Sequence, residues 1–143
     1  MHLPCHCSPC HCQVLRRAAR ALTQHYDRAL APAGLTTPQF ALLRTVDRLG
    51  PANISSAARQ LGLDRTTLGR NLRPLMEAGL VGLDSEAPDG RERRVCVTPK
   101  GRAAVDRAMP LWEAVQEQVA TQFGAEKLAS LRGLLSELEA ATR

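Results

Sequence analysis

Cys5, Cys7, Cys10 and Cys12 fall within eight residues near the start of the sequence, interleaved with His6 and His11. They supply soft sulfur ligands at C-x-C and C-x-x-C spacings with imidazoles alongside. Such a donor set suits Zn(II), Cu(I) or another soft ion. Four ligands on so short a segment are cramped for one tetrahedral ion. A site shared between subunits, or a small cluster, fits equally well. Oxidation competes with metal binding. A Cys7–Cys10 or Cys5–Cys12 disulfide would stiffen the segment just before the first helix. The third reading is a chemically incidental tail.

A second set of residues points elsewhere. Residues 59–75 carry Arg59, Arg65, Arg70 and Arg73 against Asp64, a net charge of +3. Residues 91–102 carry Arg91, Arg93, Arg94, Lys100 and Arg102 against Glu92, a net of +4. Residues 110–143 have three basic and five acidic side chains, a net of −2. Two basic segments and an acidic end describe a polarised molecule with one face suited to anions. Of the 19 basic residues only Lys100 and Lys127 are lysines. Arginine's planar fork suits phosphate and guanine, although a GC-rich genome gives the same bias.

Composition bounds the rest. The chain has 143 residues, 44% hydrophobic and 23% charged, with a formal net charge of +5. That is one domain of ordinary size, or a small domain with an appendage, and it can bury a core without disulfides. No apolar run is long enough to cross a membrane. No basic and apolar leader precedes the first helix, so a cytoplasmic protein with no membrane partner is expected. Aromatic residues make up only 3%, which disfavours a platform of stacked bases.

The elements that position these residues follow from periodicity and caps. Nothing in residues 1–12 is expected to form a helix or bury a core. From Gln13, Leu15, Ala18, Leu22, Tyr26 and Ala29 recur at helical spacing until Pro32 and Gly34. Thr37 is expected as the N-cap of a second helix, with Pro38 at its first position and a stripe of Phe40, Leu43, Val46 and Leu49. A short helix is expected from Ser55 or Ser56 to Leu61, closed by Gly62. Asp64 caps the next, which reaches about Ala78 with Gly79 as its stop. Pro74 predicts a bend around residues 70–74. Residues 80–84 and 93–97 read as a two-stranded hairpin around the polar tip "SEAPDGRE". Thr98 and Pro99 begin a helix striped by Val105, Ala108, Trp112, Val115, Val119 and Phe123. After Gly124 a last helix holds Leu128, Leu131, Leu135 and Leu138. The order is α-α-α-α-β-β-α-α behind a Cys-rich tail.

Two helices joined by "GLD" and followed by a basic hairpin make a winged helix-turn-helix. At 100° per residue, Leu68, Leu72 and Leu75 lie within about 60° of one another. Thr66, Arg70 and Arg73 face the other way, with Thr67 and Asn71 on the flanks and Arg65 in the first turn. That outer face can enter a major groove, where Arg reads guanine and Thr contacts bases or phosphate. Arg91 and Arg93, with Arg94, can reach a minor groove or the backbone from the wing. The ordinary alternatives are a solvated basic helix and a solvated loop.

"GLTTPQFALL" (34–43), "AARQLGLDRTTLGRNLRPLMEAGLV" (57–81) and "PDGRERRVCVTPKG" (88–101) together resemble the MarR family of bacterial transcriptional regulators. The resemblance runs from Gln13 to the end of the chain. It implies an interlocked homodimer of six-helix, mainly α subunits with a small β-hairpin wing. It also implies binding to double-stranded, pseudo-palindromic operators, usually as a repressor released by a small ligand or by oxidation, and no catalysis. By position Thr66, Thr67, Arg70 and Asn71 match the family's base-contacting helix, and Asp89 and Arg91 match its wing. Gly90 interrupts the wing's usual pair of arginines, and Leu83 stands where a basic residue is common. Cys12 is the best match to the cysteine by which some members sense peroxide. Trp112 and Tyr26 read as core or dimer residues that could line the family's ligand pocket.

The resemblance divides the chain into a Cys/His-rich segment (1–12), a helical dimerisation region (13–36 and 99–143) and the winged domain (37–98). The apolar stripes of the first and last helices exceed what a small winged domain can cover, so a twofold partner is expected. The input is then an oxidant or soft metal at the thiols, or a phenolic or other organic ligand with the cysteines incidental. "CSPC" (7–10) also resembles the CxPC motif of thioredoxin-like oxidoreductases, which works directly after a strand. No strand precedes it here, which argues against an enzyme; a thiol oxidoreductase or metal-handling protein is kept only as the rival class.

Overall fold

The computed structural model describes residues 10–84 and 94–142. Helix α1 spans His11–Leu30, followed by a 3-10 turn at Ala31–Ala33; α2 spans Thr37–Leu49, α3 Ile54–Leu61 and α4 Arg65–Glu77. Helix α5 runs Pro99–Phe123 and α6 Ala125–Ala141. Strands β1 (Ala52–Asn53), β2 (Val81–Asp84) and β3 (Arg94–Val97) form one antiparallel sheet in the order β1-β3-β2.

Three local expectations are corrected. Helix α1 begins at His11 with Cys10 as its N-cap, so the end of the Cys-rich segment is helical. Pro9 is the last helix breaker in the sequence before this point, and the Val14 N–H already reaches the Cys10 carbonyl at 3.0 Å. The cap of α2 is Thr36, not Thr37. Its hydroxyl accepts from the Gln39 N–H at 3.4 Å, while the Gln39 side-chain oxygen accepts from the Thr36 N–H at 3.0 Å. This reciprocal pair satisfies two donors at once, which Thr37 could not do. Helix α3 starts at Ile54, because Asn53 Oδ1 accepts from the Ser56 N–H at 2.7 Å.

The expected hairpin is the outer part of a three-stranded sheet. Ala52 pairs with Val95 and Asn53 with Arg94. Two residues cannot display a period of two, so β1 left no pattern in the sequence. Helix α4 continues through Pro74 to Glu77 as one helix, with Pro74 exposed.

The core lies where α2 and α4 meet β3 and the first half of α5. Phe40, Leu42, Leu43, Val46, Leu68, Leu75 and Val95 are almost completely enclosed, with Ala104, Val105 and Ala108 of α5 packed against them. Gly101 lets α5 close on the end of α4. A Cβ there would stand 1.9 Å from the Leu80 carbonyl oxygen. The outer helices are different. Val14, Leu15 and Leu22 of α1, Phe123 of α5, and Leu131, Leu134, Leu135 and Leu138 of α6 are all exposed, and α6 has no buried residue. Among the described residues no helix is long and apolar enough to cross a membrane.

Candidate nucleic-acid interface

Helix α4 is aimed by its two ends. Gly62 turns out of α3 in the left-handed region at φ 64°, a conformation glycine adopts without steric cost. Asp64 then caps α4. Its Oδ1 accepts from the Thr67 N–H at 2.8 Å and its Oδ2 from the Thr67 hydroxyl at 2.7 Å. The backbone bond from Thr67, then the hydroxyl bond, hold the Asp64 carboxyl below the usual carboxylate range. At the far end Thr98 Oγ1 donates to the Gly79 carbonyl at 2.6 Å, and Lys100 Nζ donates to the Ala78 carbonyl at 2.8 Å. The start of α5 therefore satisfies carbonyls that the end of α4 leaves open.

Between these anchors the helix has two faces. Leu68, Leu72 and Leu75 are buried. Arg65, Thr66, Gly69, Arg70 and Arg73 are exposed, and Thr67 and Asn71 are half-buried. The helix thus brings Arg65, Thr66, Arg70 and Arg73 onto one solvent-facing surface. Two candidates are partly committed within the chain. The Thr67 hydroxyl donates its hydrogen bond to Asp64. Arg73 Nε lies 3.0 Å from Glu77 Oε1, with both side chains largely exposed. A pair so open to water is weak and can yield to a phosphate or a base edge.

Asp89, Arg91 and Arg93 of the wing, and Cys5 and Cys7 of the N-terminal cluster, lie outside the described residues. Cys10 and Cys12 are exposed free thiols at the start of α1. Cys96 is half-buried on β3, its Sγ 3.6 Å from the Gly82 carbonyl oxygen. Among the described residues no three His, Cys, Asp or Glu side chains converge on a metal-sized site.

A second feature was not visible in the periodicity. Between α2 and α5 lies a pocket of about 480 Å³ whose walls include Phe40, Arg44, Arg48, Met109 and Trp112. The Arg44 guanidinium carbon stands 4.5 Å from the Trp112 ring centroid and 5.5 Å from that of Phe40. The two rings are 6.0 Å apart and tilted by 46°. A cation held over aromatic faces offers both charge and stacking surface to a planar anion. Trp112, read from the sequence as a core or dimer residue that could line a ligand pocket, lines this cavity. The one signal for Arg44 was its place four residues after Phe40, on the same face of α2.

A family model described as HVO_A0114 matches residues 34–100, the span from α2 to the start of α5. The chain is 41% identical to the Mycobacterium tuberculosis transcriptional regulator MosR in a DNA complex, over 93% of this chain and 98% of that one, with a TM-score of 0.79. It is 25% identical to the transcriptional repressor CouR bound to a 23-mer DNA duplex, over 97% and 99% of the two chains, with a TM-score of 0.82. It is also 27% identical to the HTH-type transcriptional repressor Rv2887 of Mycobacterium tuberculosis, over 87% of this chain and 90% of that protein. Rv2887, described as a MarR family protein, has been solved with salicylic acid, and that structure matches 92% of this chain and 97% of its own at 26% identity with a TM-score of 0.65. With a likeness to MosR that spans nearly both chains, and with a two-faced α4 inside a winged fold, this chain belongs to the MarR family of winged helix-turn-helix transcriptional regulators, which are not enzymes.

Proposed function

We propose that the protein is a homodimeric repressor that lays α4 of each subunit into successive major grooves of a pseudo-palindromic operator. The observation that carries this reading is the division of α4 into a buried leucine face and an exposed Arg65/Thr66/Arg70/Arg73 face. Arg70 and Thr66 read base edges, Asn71 works from the flank, and Arg65 and Arg73 meet phosphates. Thr67 acts mainly by holding Asp64 and so the helix start. Asp89, Arg91 and Arg93 extend the contact from the wing. The exposed apolar side chains of α1, α5 and α6 supply the twofold interface, because leucines on both chain ends can be covered together only by a second copy. Gel-shift titration against the promoter region of its own gene tests the reading. Affinity should fall steeply with salt as phosphate contacts displace counterions, and sedimentation should give a dimer. A monomer that ignores duplex DNA would refute it.

We further propose that the thiols of Cys5, Cys7, Cys10 and Cys12 carry the input. Cys10 and Cys12 sit at the first turn of α1, so chemistry there acts on a helix of the dimer interface. Hydrogen peroxide takes two electrons and two protons from a thiol pair and leaves as two waters, with one disulfide formed. Zn(II) or Cu(I) bound by the same sulfurs is the metal version. Either displaces α1 and respaces the two recognition helices. A second reading is favoured by Arg44 over Phe40 and Trp112. In it an aromatic carboxylate occupies the α2/α5 pocket, as salicylic acid accompanies Rv2887. Operator binding by reduced, oxidised, Zn(II)-loaded, Cu(I)-loaded and salicylate-treated protein separates these inputs. A Cys5/Cys7/Cys10/Cys12→Ser variant must lose the thiol responses and keep the salicylate response.

A further inference from the structure

Among the described residues no packing contact or backbone strain calls for glycine at position 69. Its backbone is ordinary helix, without a positive φ. A Cβ built on it would meet nothing within 4 Å. It is exposed in the interior of a 13-residue helix that also carries Pro74. Glycine and proline are the two poorest helix formers, so α4 gives up helix stability at Gly69 with no packing in return. Compare Gly101, where a Cβ would strike the Leu80 carbonyl at 1.9 Å and the fold itself explains the residue.

The neighbours of Gly69 on the helix surface are the residues three and four positions away. They are Arg65, Thr66, Leu72 and Arg73, and all but Leu72 are exposed. The gap left by the missing side chain therefore opens among groups that can grip DNA. We propose that Gly69 is a clearance point: the backbone of α4 rests directly against the wall of the major groove there, and the absent Cβ sets how deeply the helix enters. This rests on the reading of α4 as the DNA-facing helix. A bare backbone at this place shortens the distance that Thr66 must span to a base edge. It also leaves the flanking arginines free to reach phosphates on either side. A side chain at residue 69 would lift the helix and misplace all three together.

The test uses the full-length protein and duplexes that it enriches from a random-sequence pool. Gly69→Ala, Gly69→Leu and Arg70→Ala are compared with wild type on the tightest duplex, with melting temperatures measured in parallel. Gly69→Ala should melt higher than wild type, since alanine is the better helix former, yet bind at least about tenfold more weakly. Gly69→Leu should bind more weakly still. Stability and affinity thus move in opposite directions, which a purely structural glycine cannot produce. If Gly69→Ala binds within about twofold of wild type while Arg70→Ala fails, the clearance role is wrong and the DNA-facing reading stands. A lowered melting temperature in Gly69→Ala overturns the proposal too, because the fold would then need the glycine. If wild type enriches no duplex, both ideas fall.

Discussion

Lys100 holds the Ala78 carbonyl oxygen at 2.8 Å, so the first turn of α5 is fastened to the last residue of α4's C-terminal cap. The Thr98 hydroxyl repeats the link at Gly79, and Gly101 allows the backbones to touch. The end of α4 and the start of α5 are thus joined by two side-chain hydrogen bonds and one close backbone approach.

Gly101→Ala should break that joint. Its Cβ would lie 1.9 Å from the Leu80 carbonyl oxygen and 2.8 Å from Val97 Cγ1. The first is backbone of a paired turn and cannot swing aside. Urea unfolding should show a loss of about 2–3 kcal/mol. An unchanged midpoint would mean that the two helices do not meet so closely.

The two faces of α4 should separate stability from binding. Leu68 is fully buried, so Leu68→Ala should cost about 2–5 kcal/mol in unfolding free energy. Arg70 is exposed, so Arg70→Ala should leave stability within about 0.5 kcal/mol of wild type. Its loss should instead weaken binding to a selected duplex by about tenfold. The reverse pattern would mean that α4 is turned the other way.

Asp64 predicts a pH dependence with a definite sign. The Thr67 N–H and hydroxyl stabilise the carboxylate, so its folded pKa lies below the unfolded value. Such a group adds stability above the unfolded pKa and loses it as pH falls through the folded one. Asp64→Ala should melt below wild type at neutral pH, and the gap should narrow once the pH drops below about 4. Melting curves from pH 7 to pH 3 check this. A gap that widened with acid would assign the cap to another group.

Trp112 is the single tryptophan of the chain, so the tryptophan fluorescence, corrected for salicylate absorption, reports on the α2/α5 pocket. Salicylate should quench it in the wild type. Arg44→Ala should shift the resting emission, because the guanidinium over the ring is gone, and should weaken the titration by about tenfold or more. A titration unaffected by the substitution would remove Arg44 from any ligand site.

What was legible in the sequence is what short-range physics decides. The leucine face of α4, the Asp64 and Thr98 caps, the breaks at Gly62 and Gly124 and the two paired strands, expected at 80–84 and 93–97 and found at 81–84 and 94–97, all depend on residues three or four apart, or on simple alternation. Each came through in the structure. The excess of apolar stripe on the outer helices was also visible, since it needs only counting. The choice between Thr36 and Thr37 was not. Both can cap, and the decision fell to Asp27 of α1, whose Oδ1 accepts from the Thr37 N–H and hydroxyl at 2.6 Å each. The same holds for β1, which exists only because β3 lies beside it. Arg44 became a pocket residue because α5 brought Trp112 over it, and Gly101 was needed only where α5 crosses Leu80. These features join residues far apart along the chain. Their energies are absent until the helices pack, so they cannot be written in a local pattern, and the tertiary structure alone decides them.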